Sequence, residues 1–220
     1  MCDRKLFIRG LDRLGIRLED DKVDHVILYC HELQKWNKRI NLIARNTEAS
    51  DVVEKHFLDS LTLLPLIDQY GGRSSTLLDV GTGAGFPGLI LAAVIPELQV
   101  TLVEPRQKRV SFLHHIIRTL QLTNARVIAD RLEQAGLDRR NFTFITSRAV
   151  ADIDRFLAMI IDITGSESRV IVMQSTDDEQ AWAGTARTAS WQLVDNRTFQ
   201  LPFSGASRML SVVCRQSIDL

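Results

Sequence analysis

LLDVGTGAGFPG, residues Leu77–Gly88, places four glycines in the eight positions after a short apolar run. Such a stretch reads as a strand entering a tight turn that opens a helix, with Pro87 suited to the first helical turn. In an open α/β sheet ligands bind at that place, and glycine lets the backbone approach them closely.

The flanking sequence fits this context. From Thr76 onward, β-prone runs (TLLDV, QVTLVE, ARVIA, FTFIT, RVIVM) alternate with amphipathic segments, including Val110, Leu113, Ile116, Ile117 and Leu120 on one helical face and Ile153, Phe156, Leu157 and Ile160 on another. The alternation predicts a parallel sheet with helices on both faces. WQLVDNRTFQL and RMLSVVCR, separated by PFSGAS, break it and predict a C-terminal antiparallel hairpin, for seven strands in all. Upstream, Val23, Val26, Ile27, Cys30 and Leu33 recur at helical spacing after the acidic Glu19, Asp20 and Asp21. A second helical series runs through Val52, Val53, Phe57, Leu58, Leu61 and Leu64. The expected organisation is a helical extension over 1–70 and an α/β core over 71–220, with Gly71–Ser75 as the hinge.

Composition narrows the function classes. The chain has 220 residues, 45% hydrophobic and 25% charged, with zero formal net charge at pH 7, so the total demands neither a nucleic-acid nor a membrane partner. The longest apolar stretch falls well short of the roughly 18–20 residues a span needs, and MCDRKLFIRG has charges where a signal peptide needs its apolar centre. Cys2, Cys30 and Cys214 show no metal or redox spacing and read as free thiols of a reducing compartment. A cytoplasmic monomer without metal is expected.

Gly83–Gly88 matches the dinucleotide pattern G-x-G-x-x-G, with Glu104 about 20 residues on as a ribose-binding acid. Counted from the strand end, however, Gly81, Gly83 and Gly85 give G-x-G-x-G, and Asp79 stands two residues earlier. A carboxylate there would repel a pyrophosphate on the same turn, whereas it suits S-adenosylmethionine, whose sulfonium and ammonium are cationic. Glu104 would then accept from the two ribose hydroxyls. A dinucleotide site and a tight packing turn without ligand stay open.

Ser147–Arg148 falls at the end of the fourth β-prone run, beside this pocket. An arginine there suits the methyl donor or a phosphate, against an ordinary salt bridge to Asp152 or Asp154. Lys35, Lys38, Arg39, Arg45 and Lys55, with Arg106, Lys108, Arg109, Arg118 and Arg131, could form a basic face for RNA phosphates, though each taken singly suits a solvated helix. Trp36 next to Leu33 reads as a core residue, with Asn37 and Asn41 tying down the loop that follows. His56, Asp59 and Ser60 lie within a turn and a half of helix and lack a nucleophile elbow, which argues against a hydrolytic triad and for a polar bridge between extension and core. His114 and His115 have no carboxylate at ligand spacing.

KWNKRINLIA (35–44), KHFLDSL (55–61), LLDVGTGAGFPG, QKRVSFL (107–113) and ITSRAVA (145–151) resemble, in order and spacing, the bacterial 16S rRNA guanine-N7 methyltransferase family called RsmG or GidB. The resemblance covers roughly residues 20 to 160. It implies a Rossmann-like, class I S-adenosylmethionine-dependent methyltransferase acting on the 530-loop guanine of 16S rRNA in the 30S subunit. It implies a donor site with Gly81, Phe86, Glu104, Leu132, Glu133 and Arg148, and it makes His56, Asp59 and Ser60 a wall of the donor or RNA site. Gln174-Ser175 stands where the family usually has Lys-Gly, and Ile43 where it has threonine. The chemistry agrees, since N7 attacks with a lone pair and loses no proton, so alignment and exclusion of water are what the protein must supply. Neither the Asn/Asp-Pro-Pro-aromatic motif of amine methylation nor a Pro-Cys nucleophile of pyrimidine C5 methylation occurs. Two other readings compete, an NAD-type oxidoreductase and a non-catalytic RNA-binding protein that keeps the donor fold.

Overall fold

A computed structural model describes residues 2–45, 47–137, 142–148, 153–175 and 190–216. Seven strands form one sheet in the order β3-β2-β1-β4-β5-β7-β6. They are β1 (Thr76–Val80), β2 (Gln99–Val103), β3 (Ala125–Ile128), β4 (Phe144–Arg148), β5 (Arg169–Ser175), β6 (Trp191–Gln200) and β7 (Ser207–Arg215). The first five are parallel, and β7 runs antiparallel between β5 and β6. The chain goes out from β1 to β3 and returns to lay β4 against β1, so the order reverses between β1 and β2 on one side and β4 on the other. A crevice opens there at the carboxyl ends of the strands.

Alternation along the strands sorts the core into two layers. Leu77, Leu102, Phe144, Ile171, Met173, Leu210 and Val212 face one side. Covering it are α6 (Gly88–Val94), α7 (Gln107–Thr119) and the whole extension: α1 (Arg4–Arg13), α2 (Asp20–Asn37), α3 (Ala49–Val52), a π-helical stretch Val53–Leu58, α4 (Asp59–Leu61) and α5 (Leu64–Tyr70). Leu78, Ile145, Val170, Val172 and Val213 face the other side, where α8 (Ile153–Ile160) contributes Ile153, Phe156, Leu157 and Ile160. Every residue of α6 is buried, because sheet and extension enclose it from both sides.

Three sequence expectations change. The fourth strand is shifted two residues from FTFIT, which brings Arg148 into its last ladder position, opposite Met173. Gly71–Ser75, expected as a hinge, is an exposed turn tied at its two ends: Ser75 Oγ donates to the Gly71 carbonyl (2.7 Å), and a Cβ on Gly71 would lie 2.6 Å from Thr143 Cγ2 and 2.9 Å from the Phe144 ring. Cys2 and Cys30 are not free but joined as a disulfide, with Cα atoms 6.1 Å apart. Packing of α1 on α2 makes this pair, and a separation of 28 residues carries no spacing signal for it. Cys214 is free. Among the described residues no helix is long and apolar enough to cross a membrane, and no cluster of three metal-ligating side chains occurs.

The Gly71 contacts make a prediction. Gly71→Ala should lower the urea midpoint without changing the slope, by about 1–3 kcal/mol, because the new methyl meets a buried aromatic ring. An unchanged midpoint would show that the turn has slack.

Candidate active site

Asp79, the fourth residue of β1, is fully buried beneath the glycine turn. Its Oδ2 accepts from Thr82 Oγ1 (2.6 Å) and from the Gly88 backbone N–H (2.8 Å), so one carboxylate oxygen ties both ends of the turn to the strand. Its Oδ1 is buried without a hydrogen-bond partner. Burial pushes the carboxyl up to about 7 against the two hydrogen bonds and Arg148, which pull the other way. The expected repulsion of a pyrophosphate by a free carboxylate therefore gives way to occupancy: Asp79 already uses the first amide of α6, the group a phosphate would need.

Gly81, Gly83 and Gly85 all have positive φ, at 67°, 64° and 93°. Around Gly81 nothing lies within 4 Å of where a Cβ would stand, an open cradle against bare backbone. A Cβ on Gly85 would instead collide with the hydroxyl of Tyr29, which reaches over from α2 to donate to the Ala84 carbonyl. Glu104, at the end of β2 and 2% exposed, closes the next side. Its Oε2 accepts from Gly83 N–H (3.0 Å) and its Oε1 from Arg106 N–H (2.9 Å), while Arg109 Nη1 lies 3.5 Å away. The acid is thus held against the turn. Beyond the edge strand β3, Leu132 and Glu133 form a short 3-10 turn, the first partly buried and the second exposed.

The opposite wall is built from Phe86, Arg148 and the extension. Phe86 is buried, stacks on Tyr29 (5.8 Å between centroids, 7° between planes) and lies against His56 (5.1 Å, 19°). The Arg148 guanidinium sits over the Phe86 ring at 5.0 Å, and its Nη1 donates to the Lys55 carbonyl (3.1 Å) and to His56 Nδ1 (2.8 Å). Accepting that bond makes His56 neutral with the proton on Nε2. Burial, then the Arg148 and Lys55 charges, press its pKa down to about 3. The π-helical turn is what presents a carbonyl and the next side chain to one guanidinium, and π turns recur at functional sites. Asp152, one candidate partner of Arg148, lies outside the described residues. Asp59 is buried, with its pKa raised to about 6 by burial and opposed by Arg208 and Arg148. The buried Ser60 hydroxyl donates to the His56 carbonyl (2.5 Å), a bond within the helix.

Of the basic candidates, Lys38 and Arg39 are exposed just beyond α2, and Lys108 is exposed in the first turn of α7. Lys35 pairs with Glu32, Lys55 with Asp51 and Arg45 with Asn41. Asn37 Oδ1 accepts from the backbone N–H groups of Leu42 and Ile43 (2.8 and 3.0 Å) and fixes the loop after α2. Trp36 is half-buried, against Phe112 and His115. His115 has a partner that spacing did not reveal, Glu32 of α2 at 2.5 Å. Sequence reasoning also missed Tyr29, whose helical position gives no sign that it touches the glycine turn, and Arg208, which enters from the hairpin. Gln174 is buried near the end of β5, one place before Ser175.

The fold and the open glycine turn at the switch point define a Rossmann-like methyltransferase. A solved SAM-dependent methyltransferase from Aquifex aeolicus superposes with a TM-score of 0.54 at 15% identity, covering 70% of this chain and 91% of that one. The chain belongs to the GidB family, rRNA small subunit methyltransferase G, whose model matches residues 22–210. The ribosomal RNA small subunit methyltransferase G of Desulfotalea psychrophila is 42% identical over 210 residues, 93% of this chain and 95% of that protein. That of Geotalea uraniireducens is 35% identical over 214 residues, 96% and 95% of the two chains. The family match reaches residue 210, well past position 160, where the recognisable motifs end.

Asp79 predicts a pH dependence. A carboxyl raised from 3.8 to about 7 stabilises the fold fully below 3.8, and that contribution is lost as pH rises to about 7. Asp79→Asn keeps an acceptor for Gly88 and Thr82 but cannot ionise. Relative to this variant, the parent should lose stability progressively between about pH 4 and 7 in urea titrations. A constant difference over that range would show Asp79 to titrate normally.

Proposed function

We propose that this chain transfers the methyl group of S-adenosylmethionine to N7 of the 530-loop guanine of 16S rRNA, acting on the 30S subunit. The observation that carries the reading is the open glycine turn beside Glu104, with the first amide of α6 already taken by Asp79, in a chain of this family. The residues fit the donor: bare backbone at Gly81 leaves room for it, and Glu104, against the Gly83 amide, would accept from its ribose hydroxyls. When bound, S-adenosylmethionine supplies a methyl group on a positively charged sulfur. Phe86 gives the crevice an apolar wall, Arg148 orients the donor end that lies nearest β4, and Leu132 and Glu133 border its adenosine half. Guanine N7 brings its own lone pair, so the residues contribute alignment and dryness, worth up to roughly 7–11 kcal/mol in well-oriented reactions. No general base enters this scheme, consistent with a His56 that accepts from Arg148 on one ring nitrogen.

In the same reading the extension over 1–70 forms one side of the RNA cleft and the core over 71–220 holds the donor. Lys38, Arg39, Asn41, Lys108 and Arg109 meet RNA phosphates, and His56, Asp59 and Ser60 stand between the two sites. The protein would work as a cytoplasmic monomer, without membrane or metal.

The test is transfer of tritiated methyl from S-adenosylmethionine to undermethylated 30S subunits, followed by nuclease digestion. Label is expected in 7-methylguanosine from the 530 loop, and label in another nucleoside would refute the assignment. Glu104→Gln keeps the shape but weakens a charge-assisted pair of hydrogen bonds, at a cost of about 1.5–3 kcal/mol in donor affinity by calorimetry. Adenosine should lose more affinity than methionine as a competing fragment; equal losses would remove Glu104 from the ribose.

A further inference from the structure

We infer that Arg208 binds a backbone phosphate of the RNA strand bearing the target guanine, and that Asp59 positions it. The inference rests on the RNA methyl-transfer reading above and adds a contact on the hairpin side of the cleft.

Arg208 belongs to the active end of the sheet although it lies near the C-terminus of the chain. Because β7 runs antiparallel to β5, its second residue stands opposite Ser175, two positions beyond the Arg148–Met173–Leu210 level. Arg148, Ser175 and Arg208 stand an even number of places from Phe144, Met173 and Leu210 on their own strands, so they share the sheet face that the extension covers. Strand spacing puts β7 about 10 Å from β4 and about 14 Å from the glycine turn on β1. Arg208 is therefore near the cleft but displaced from the donor.

Its surroundings show an arginine that is steered without being used up. Asp59, from α4, has an Oδ1 that is buried and lacks a hydrogen bond, with Arg208 Nε 3.6 Å away. That distance gives Coulomb attraction but no hydrogen bond. Arg208 Nη1 donates to the carbonyl of its neighbour Ser207 (3.0 Å). The Arg208 side chain is 23% exposed against 6% for Asp59, so the acid is buried and the arginine keeps part of its surface open to solvent. Arg148, by contrast, is occupied by Lys55, His56 and the Phe86 ring. A planar fork held from behind by a buried carboxylate is suited to take two phosphate oxygens on its open edge. The donor offers a second anion, the carboxylate of its methionine half, and the experiment separates the two.

The test uses the full chain with Arg208→Gln, Arg208→Lys and Asp59→Asn. For Arg208→Gln, KM for 30S subunits should rise about tenfold while kcat moves far less. The slope of log kcat/KM against log salt between about 50 and 200 mM should fall by about 0.7. Donor affinity measured without RNA should stay at the parent value. Asp59→Asn should raise KM alone and add nothing on top of Arg208→Gln, as for a residue that acts through the arginine. An unchanged KM and salt slope overturns the assignment, and so does weakened donor binding, which would put Arg208 on the donor carboxylate. Should Arg208→Gln fail to fold, Arg208→Lys decides: a raised KM with the parent's salt slope supports the phosphate contact, and the parent's KM overturns it. A parent chain inactive on 30S subunits refutes the underlying reading, whereas an active parent with an indifferent Arg208→Gln refutes the arginine alone.

Discussion

The site depends on one buried oxygen, Asp79 Oδ2, which accepts from Thr82 at the start of the glycine turn and from Gly88 at its end. A turn with three positive-φ glycines is entropically expensive to order, and a fully buried carboxyl beneath it sets where it begins and stops. It also satisfies the first orphan amide of α6, a helix with little water around it because all seven of its residues are buried. Room for a ligand follows from this arrangement: with the acid working from below, the upper side of the turn at Gly81 stays clear.

The helical extension takes part in the same construction. Tyr29 reaches the Ala84 carbonyl and stacks on Phe86, and the π-helical turn holds Arg148 through the Lys55 carbonyl and His56 Nδ1. Glu54, also in that turn, accepts from the backbone N–H groups of Phe203 and Ser204, which fastens the hairpin loop to the extension. Extension, switch point and hairpin therefore meet in one polar cluster roofed by aromatic rings. Arg148 can be held at such depth because carbonyl and imidazole acceptors, a ring face and nearby carboxyls match its charge.

Much of the fold was legible in short-range pattern. Alternation of β-prone and helical segments after Thr76 gave the parallel sheet, and two adjacent strand-like runs around PFSGAS gave the hairpin. The glycine spacing with Asp79 and Glu104 pointed to the crevice at the switch point, since these residues sit at the ends of consecutive strands whose pairing is local. The end of the fourth strand was read two residues early, because Phe142 and Phe144 share the same alternation and only pairing with β5 selects the later register.

Contacts across long sequence separations were decided by tertiary structure alone. Tyr29 on Ala84, Arg148 on His56, Glu32 on His115, the Cys2–Cys30 bond and Asp59 beside Arg208 join residues 28 to 149 apart, and no periodicity encodes such pairs. Sequence by itself determined the order of strands and helices, which face of each is apolar, and where glycine leaves the backbone bare. Tertiary structure decided which charges are buried together, because burial depends on what packs against a face, and desolvation then sets whether Asp79 and His56 carry charge near neutral pH.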